Sequence, residues 1–226
     1  MAGVFDAAVA MMAKVPRPGE VKTRLCPTYS YEEAAELYRC FLLDKIEQVK
    51  GLEDAVPVIV YTPENTKDFF ESLAGTGFTF IPQQGSDLGE RLAGAFKRLF
   101  ALGYRRVIVI DTDTPTLPLH YLQGALGLLC EPEVDVVLGP SEDGGYYLIG
   151  LCQLYRELFD GMVRSTAHVL SETIGRARAK GLKVACLSSW FDVDTPEDLQ
   201  RLKASLRSDE AAGPQHTKRF LLEHSK

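Results

Sequence analysis

The chain has no apolar run approaching the roughly 20 residues that a membrane-spanning helix needs, so no transmembrane segment is expected. Its five cysteines (Cys26, Cys40, Cys130, Cys152 and Cys186) are odd in number and contain no CxxC pair. That argues against a disulfide framework and a structural zinc site. It predicts free, mostly buried thiols in a reducing compartment, the cytoplasm. Positive charge is not in surplus: Lys and Arg total 25 against 31 Asp and Glu, a net charge of −6. A general nucleic-acid binder would show the reverse balance. The glycine fingerprints GxxxxGK[ST], GxGxxG and GxSxG are also missing, which removes the P-loop, Rossmann dinucleotide and serine-hydrolase readings. The N-terminal MAGVFDAAVAMMAKV lacks a basic lead, carries Asp6, and is apolar only from Ala7 to Ala13. It reads as a core strand and not as a signal peptide.

What is present fits one α/β domain: 226 residues, 46% of them hydrophobic. Apolar strand patterns are expected over 5–12, 56–61, 78–81, 107–110, 134–138, 146–151 and 182–187. Helical spacing is expected over 30–49, 66–73, 90–101, 119–129 and 165–180, with a last helix from Thr195. Ser30 with Glu33 forms a capping box at the first helix. Thr195 as N-cap with Pro196 at the first helical position opens the last one. Strands alternating with helices predict a three-layer sandwich: a mostly parallel central sheet with helices on both faces. The one strand pair without a helix between it flanks 139–145, so an antiparallel piece is expected in the C-terminal half. The domain is read as 1–207. Residues 208–226 are read as a linker and a tail, KRFLLEHSK, that can form a short helix.

Four stretches carry chemistry. The first is Val107–Leu117, VIVIDTDTPTL, where a strand buried on both faces runs into Asp111 and Asp113 before Pro115 breaks it. Ligands in open parallel sheets sit beyond the carboxyl ends of strands, and hard divalent cations prefer oxygen donors. The plain alternative is an acidic turn capped by Asp113. The second is AKVPRPGEVKTRL, a proline-rich loop with Lys14, Arg17, Lys22 and Arg24 in eleven residues. It suits a polyphosphate, or is simply a solvated basic turn. Lys22 and Arg24, two apart, would point the same way if the segment is extended. The third is GPSEDGG, 139–145, either a ligand-facing turn or an ordinary Asp-Gly hairpin. The fourth is Asp192-Val-Asp194, two carboxylates on one side of an extended segment, or a helix N-terminal acidic cap. Asp87, Gly89 and Arg91 precede and open a helix, where a glycine could admit a base or phosphate. The competing reading there is a cap at Asp87. Ser165 and Thr166 start a helix as caps, or touch substrate.

Taken together, AKVPRPGEVKTRL, DTDTPTL, GPSEDGGYYLIGL and WFDVDTPEDL resemble the bacterial radical-SAM/selenodomain-associated transferases, members of the nucleotide-diphospho-sugar transferase superfamily with a GT-A fold. The resemblance covers about residues 5–205. More distantly the chain is similar to the molybdenum-cofactor and phospholactate guanylyltransferases, from which its loop departs in being proline-rich and not glycine-rich. The resemblance implies Mg²⁺ or Mn²⁺ held by Asp113, with Asp111 completing a DxD and Asp194 as second ligand, Asp143 being the alternative. It implies a phosphate-binding role for Lys14, Gly19, Lys22, Thr23 and Arg24, to which the reading adds Asp87, Gly89 and Arg91. Asp113, Lys22 and Asp143 are the candidate catalytic residues. Asp143, Gly144, Gly145, Ser165 and Thr166 are the candidate substrate contacts. The expected activity is nucleotidyl transfer from a nucleoside triphosphate to a phosphorylated acceptor. Glycosyl transfer from a nucleoside-diphosphate sugar is the alternative, and a nucleotide-binding protein without catalysis comes third. The expected partners are a nucleotide and a small acceptor, with no nucleic acid and no membrane.

Overall fold

The protein is described by a computed structural model covering residues 5–26, 28–162, 168–208 and 213–224. Seven strands form one sheet: β1 (Ala7–Lys14), β2 (Val56–Thr62), β3 (Thr79–Pro82), β4 (Arg106–Ile110), β5 (Val136–Pro140), β6 (Tyr146–Leu151) and β7 (Val184–Cys186). Their order is β3-β2-β1-β4-β6-β5-β7. β6 runs antiparallel between β4 and β5, and every other neighbouring pair is parallel. The antiparallel piece is thus where the missing helix placed it. The helices are α1 (Tyr31–Lys50), α2 (Lys67–Ala74), α3 (Leu88–Ala101), α4 (Leu119–Leu128), α5 (Val169–Ala179), α6 (Pro196–Ser208) and α7 (Gln215–Glu223).

Period-2 alternation sorts each strand onto two cores. Val9, Met11, Ile59, Ile108, Ile110 and Leu148 face α1, α2, α4, α6 and α7. Ala8, Ala10, Val58, Val109 and Ile149 face α3 and α5. Helices therefore cover both faces, and β1 and β4 are buried on both sides. Because β6 is reversed, the turn joining β5 to β6 lies at the same sheet edge as the carboxyl ends of β1 and β4. No helix among the described residues is long and apolar enough to cross a membrane.

The helix starts follow local chemistry. Ser30 Oγ accepts from Glu33 N–H, and Glu33 accepts from Ser30 N–H at 2.8 Å, closing the capping box of α1. Asp87 Oδ1 accepts from Glu90 N–H at 2.8 Å and caps α3. Asp198 accepts from the backbone and hydroxyl of Thr195, both at 2.8 Å, ahead of α6.

The tail forms α7, which packs on α1. Its cap comes from another helix: Asp44 of α1 accepts from His216 N–H, Thr217 N–H and Thr217 Oγ1–H at 2.9, 2.9 and 2.6 Å. Phe220 is buried edge-on against Tyr29. Asp44→Ala leaves those amides unpaired and is expected to lower stability by about 2–3 kcal/mol. Chemical denaturation measures this. A change under about 0.5 kcal/mol would mean that this cap contributes nothing to the fold.

The cysteine expectation needs correction. All five thiols are free, but only Cys40 is buried; Cys130, Cys152 and Cys186 are exposed and Cys26 is half-buried. Cys130 follows α4, Cys152 follows β6 and Cys186 ends an edge strand, positions that period and composition did not distinguish from core.

Candidate active site

The carboxyl ends of β1, β2 and β4, the residue after β3, the β5–β6 turn and the segment before α6 enclose one cavity of about 430 Å³. It opens where β1 leads towards β2 on one side and β4 lies on the other, the position at which open α/β sheets take ligands. Lys14, Lys22, Arg91, Asp111, Asp113, Asp143, Gly145, Asp192 and Asp194 all line it. Its walls also carry Met12, Tyr38, Thr62, Gln83 and Ser141.

Lys22 organises the centre. Its ammonium lies 2.5 Å from Asp113 Oδ1 and 2.7 Å from Asp194 Oδ1, with the side chain 4% exposed. Burial opposes the charge, but the two carboxylates outweigh it and hold the ammonium pKa above its ordinary value. Tyr38 and Phe41 of α1 form the apolar wall beneath it, 6.0 and 5.6 Å from Nζ to ring centre. Lys22 is the only non-glycine residue at positive φ among the described residues, with φ 49°. A short 3₁₀ turn, Thr23–Leu25, follows immediately.

That turn corrects the expectation that Lys22 and Arg24 share a side. The segment is not extended, so Lys22 points inward while Thr23 and Arg24 are exposed and lie off the cavity. Gly19 is exposed at φ 76° and also lies off the cavity lining. Lys14 stays at the cavity, its Nζ donating to Glu20 O at 2.9 Å.

Four of the five cavity carboxylates divide into two pairs. Asp113 and Asp194 are each 38% exposed and meet at Lys22. Asp111 and Asp192 lie deeper. Asp111 Oδ1 accepts from Thr114 Oγ1–H at 2.8 Å, and Asp192 Oδ2 accepts from Ser141 Oγ–H at 2.5 Å. Burial, with the facing carboxylates of Asp192 and Asp113, pushes the Asp111 pKa well up. Burial raises Asp192 to about 6 against its hydrogen bonds from Asp111 and Ser141. Beneath them Lys45 donates to Thr114 O at 2.9 Å, and burial brings its pKa down to about 8 against the pull of the neighbouring acids. Val193 N–H donates to Asp113 O at 2.9 Å, which ties the Asp192–Asp194 segment to the end of β4.

Asp143 Oδ1 accepts from Gly145 N–H at 2.9 Å, and Gly144 takes φ 93°. The Asp-Gly turn is thus real, and it also presents Asp143 to the cavity. Asp87 and Gly89 lie apart, beside a second groove along α3. A Cβ on Gly89 would sit 2.2 Å from Phe159 O, so this glycine serves helix packing. Gly89→Ala should lower stability by about 2–3 kcal/mol, whereas Gly127→Ala, with nothing within 4 Å, should be neutral or stabilising. Equal denaturation midpoints for the two variants would contradict this packing. Ser165 and Thr166 lie outside the described residues.

Sequence reasoning missed Tyr38, Lys45 and Gln83. Tyr38 fits the apolar stripe of α1, yet its hydroxyl lies 2.8 Å from Thr112 Oγ1 and 3.2 Å from Lys14 N, joining α1, β1 and β4 at the cavity rim. Nothing local marks any of the three, since their hydrogen-bond partners are at least 22 residues away in the chain.

In sequence, residues 45–166 match the family described as "Uncharacterized protein conserved in bacteria (DUF2064)". No curated protein matches the chain. Among solved structures, the chain is similar to a protein from Desulfovibrio desulfuricans G20, provisionally a nucleotide-diphospho-sugar transferase. Identity is 33%, the TM-score is 0.88, and 97% of this chain and 96% of that one are covered. A cytidylyltransferase from Leptospira borgpetersenii gives 14% identity and a TM-score of 0.58, covering 98% and 95%. The 4-diphosphocytidyl-2C-methyl-D-erythritol synthase of Anaerococcus prevotii gives 10% and 0.58, covering 89% and 97%. At those identities the two likenesses concern the fold alone. On the family match and the Desulfovibrio relative together, the chain belongs to the DUF2064 family.

Proposed function

We propose that this cavity binds a nucleoside triphosphate and transfers its nucleotidyl group to a phosphorylated acceptor. The observation that carries the reading is the Lys22 ammonium, fixed between Asp113 and Asp194 at the carboxyl end of β4 with Lys14 lining the same cavity. An acceptor phosphate oxygen attacks the α-phosphorus, the bond from that phosphorus to the bridging oxygen breaks, and pyrophosphate leaves. Such chemistry needs positioning and charge neutralisation more than a side-chain nucleophile. Lys14 and Lys22 face the charge that gathers on the departing pyrophosphate.

Asp113 and Asp194 present hard oxygen donors already arranged around a cation, which is the donor chemistry that Mg²⁺ or Mn²⁺ takes. These two residues would hold the ion, with Asp143 and Asp111 lining the same cavity. When bound, it would supply further neutralisation of phosphate charge. The Asp111–Asp192 pair, tied to Thr114 and Ser141, keeps the end of β4 and the segment before α6 in register.

A second reading is glycosyl transfer from a nucleoside-diphosphate sugar. Asp143 favours it: an exposed carboxylate at the cavity can take the proton of an acceptor hydroxyl. We further propose that residues 1–207 make up the transferase domain with 208–226 as an accessory. The four sequence motifs support a place in the radical-SAM/selenodomain-associated branch.

A thermal-shift panel of nucleoside triphosphates and nucleotide sugars, each with and without Mg²⁺ or Mn²⁺, tests the reading. A metal-dependent shift with a triphosphate supports nucleotidyl transfer. A shift with nucleotide sugars alone turns the assignment to glycosyl transfer.

A further inference from the structure

We propose that Cys130 and Cys152 are a redox-sensitive pair, which a hydroperoxide oxidises to a disulfide that tethers the end of α4 to the end of β6. The pair lies at the opposite end of β4 from the nucleotide cavity, and the proposal does not depend on the nucleotide reading.

Three side chains converge there. β4 and β6 pair antiparallel as far as Val107 and Leu151. One step further, Arg106 and Cys152 stand side by side on the face that Ile108 turns to α4. Gly150 marks how close α4 comes, since a Cβ there would meet Leu129 Cδ1 at 3.1 Å. Cys130 follows Leu129 at the end of α4, and Arg106 Nη1 donates to its sulfur while Nη2 is held by Asp6. Cys152 Sγ–H donates to Leu129 O at 3.3 Å. That carbonyl lies about 2.8 Å from the Cys130 Cα, so Cys152 Sγ is no more than about 6 Å from that Cα. A disulfide sets the same separation at roughly 4 Å. Cys130 sits in the exposed turn that ends α4, where rotation of its side chain and a small shift of the turn close the difference.

The surroundings assign an order to the two thiols. Cys130 carries a guanidinium at its sulfur. Partial burial pushes the Cys152 thiol up, which suits it to the second step. An open groove of about 700 Å³, lined by Asp6, Arg106 and both cysteines, admits a small oxidant. The Cys130 sulfur attacks one peroxide oxygen, the O–O bond breaks, and the departing hydroxide, which takes the Cys130 proton, leaves beside Arg106. The Cys152 sulfur then attacks the sulfenic acid. An S–S bond forms, the S–O bond breaks, and the second hydroxide leaves as water with the Cys152 proton. Two thiols and one hydrogen peroxide thus give one disulfide and two waters.

The test treats the reduced full chain with hydrogen peroxide. The unfolded product should have lost two of its five titratable thiols, a peptide map should join Cys130 to Cys152, and dithiothreitol should restore all five. Arg106→Gln should slow the loss by about tenfold, the worth of a charge-assisted hydrogen bond. Cys152→Ser should stop the reaction at a Cys130 sulfenic acid that dimedone traps. The wild-type map decides the matter even if a variant does not fold. No loss of thiols, a bond between other cysteines, or a Cys130 sulfinic acid beside a reduced Cys152 would overturn the proposal and leave both thiols as caps on the last carbonyls of α4.

Discussion

In Asp113→Asn, the metal-dependent thermal shift produced by a nucleoside triphosphate disappears, and turnover falls by about 10²–10³-fold. Asp113 leaves β4 where a buried strand ends at the cavity, and its carboxylate is one of the two that grip the Lys22 ammonium. The amide keeps the shape but loses the charge, so a divalent cation loses a hard anionic donor while Lys22 keeps Asp194. A ligand at 100 times its Kd stabilises the native state by about 2.7 kcal/mol, so loss of the shift is easily read. The fold should survive, since Asp113 is 38% exposed and its removal leaves no buried charge without a partner. A metal-dependent shift that persists in Asp113→Asn would remove Asp113 from the site.

Lys22→Ala should weaken nucleoside triphosphate binding by about 10²-fold, given the strength of charge-assisted contacts in a desolvated site. Its effect on nucleotide-sugar binding should be clearly smaller, because a triphosphate carries more charge than the diphosphate of a sugar nucleotide. Equal losses for the two ligand classes would count against nucleotidyl transfer. Lys22→Ala removes the ammonium but keeps a Cβ in a left-handed conformation that costs roughly 1–2 kcal/mol, so charge loss and backbone strain act together in this variant. Lys22→Gly separates them. It removes the charge but suits φ 49°, so it should be the more stable variant while binding triphosphate as poorly as Lys22→Ala.

Much of the architecture was legible. The β1 and β4 strands carry continuous apolar runs, and α1 and α6 announce themselves with caps whose hydrogen bonds are present as spelled. Asp113, Asp194, Asp143 and Lys14 were identified as chemistry-bearing, and the fold brings all four to one cavity. What was not legible depends on distance along the chain or on a single torsion. Tyr38 and Lys45 sit in a helix whose spacing gives no hint that the acidic loop passes over them. Lys22 and Arg24 part company because one residue turns left-handed and the next three tighten into a 3₁₀ turn. Period alone cannot carry that information. Asp87 and Gly89 look like ligand contacts in sequence because capping and close packing use the same residue types as phosphate binding.

The reversed strand β6 has a bearing on how the chain is made. During synthesis β1, β2, β3 and β4 can pair as soon as residue 110 is available, but β4 then presents an open edge, and its second neighbour arrives only with 146–151. An open edge of an apolar strand is a template for pairing with another chain. The nascent protein is therefore most exposed to misassociation between the emergence of β4 and that of β6. Lys22 waits longer still: Asp113 becomes available just after β4, and Asp194 only after β7. The Asp113–Lys22–Asp194 centre is therefore incomplete in any intermediate that ends before residue 194.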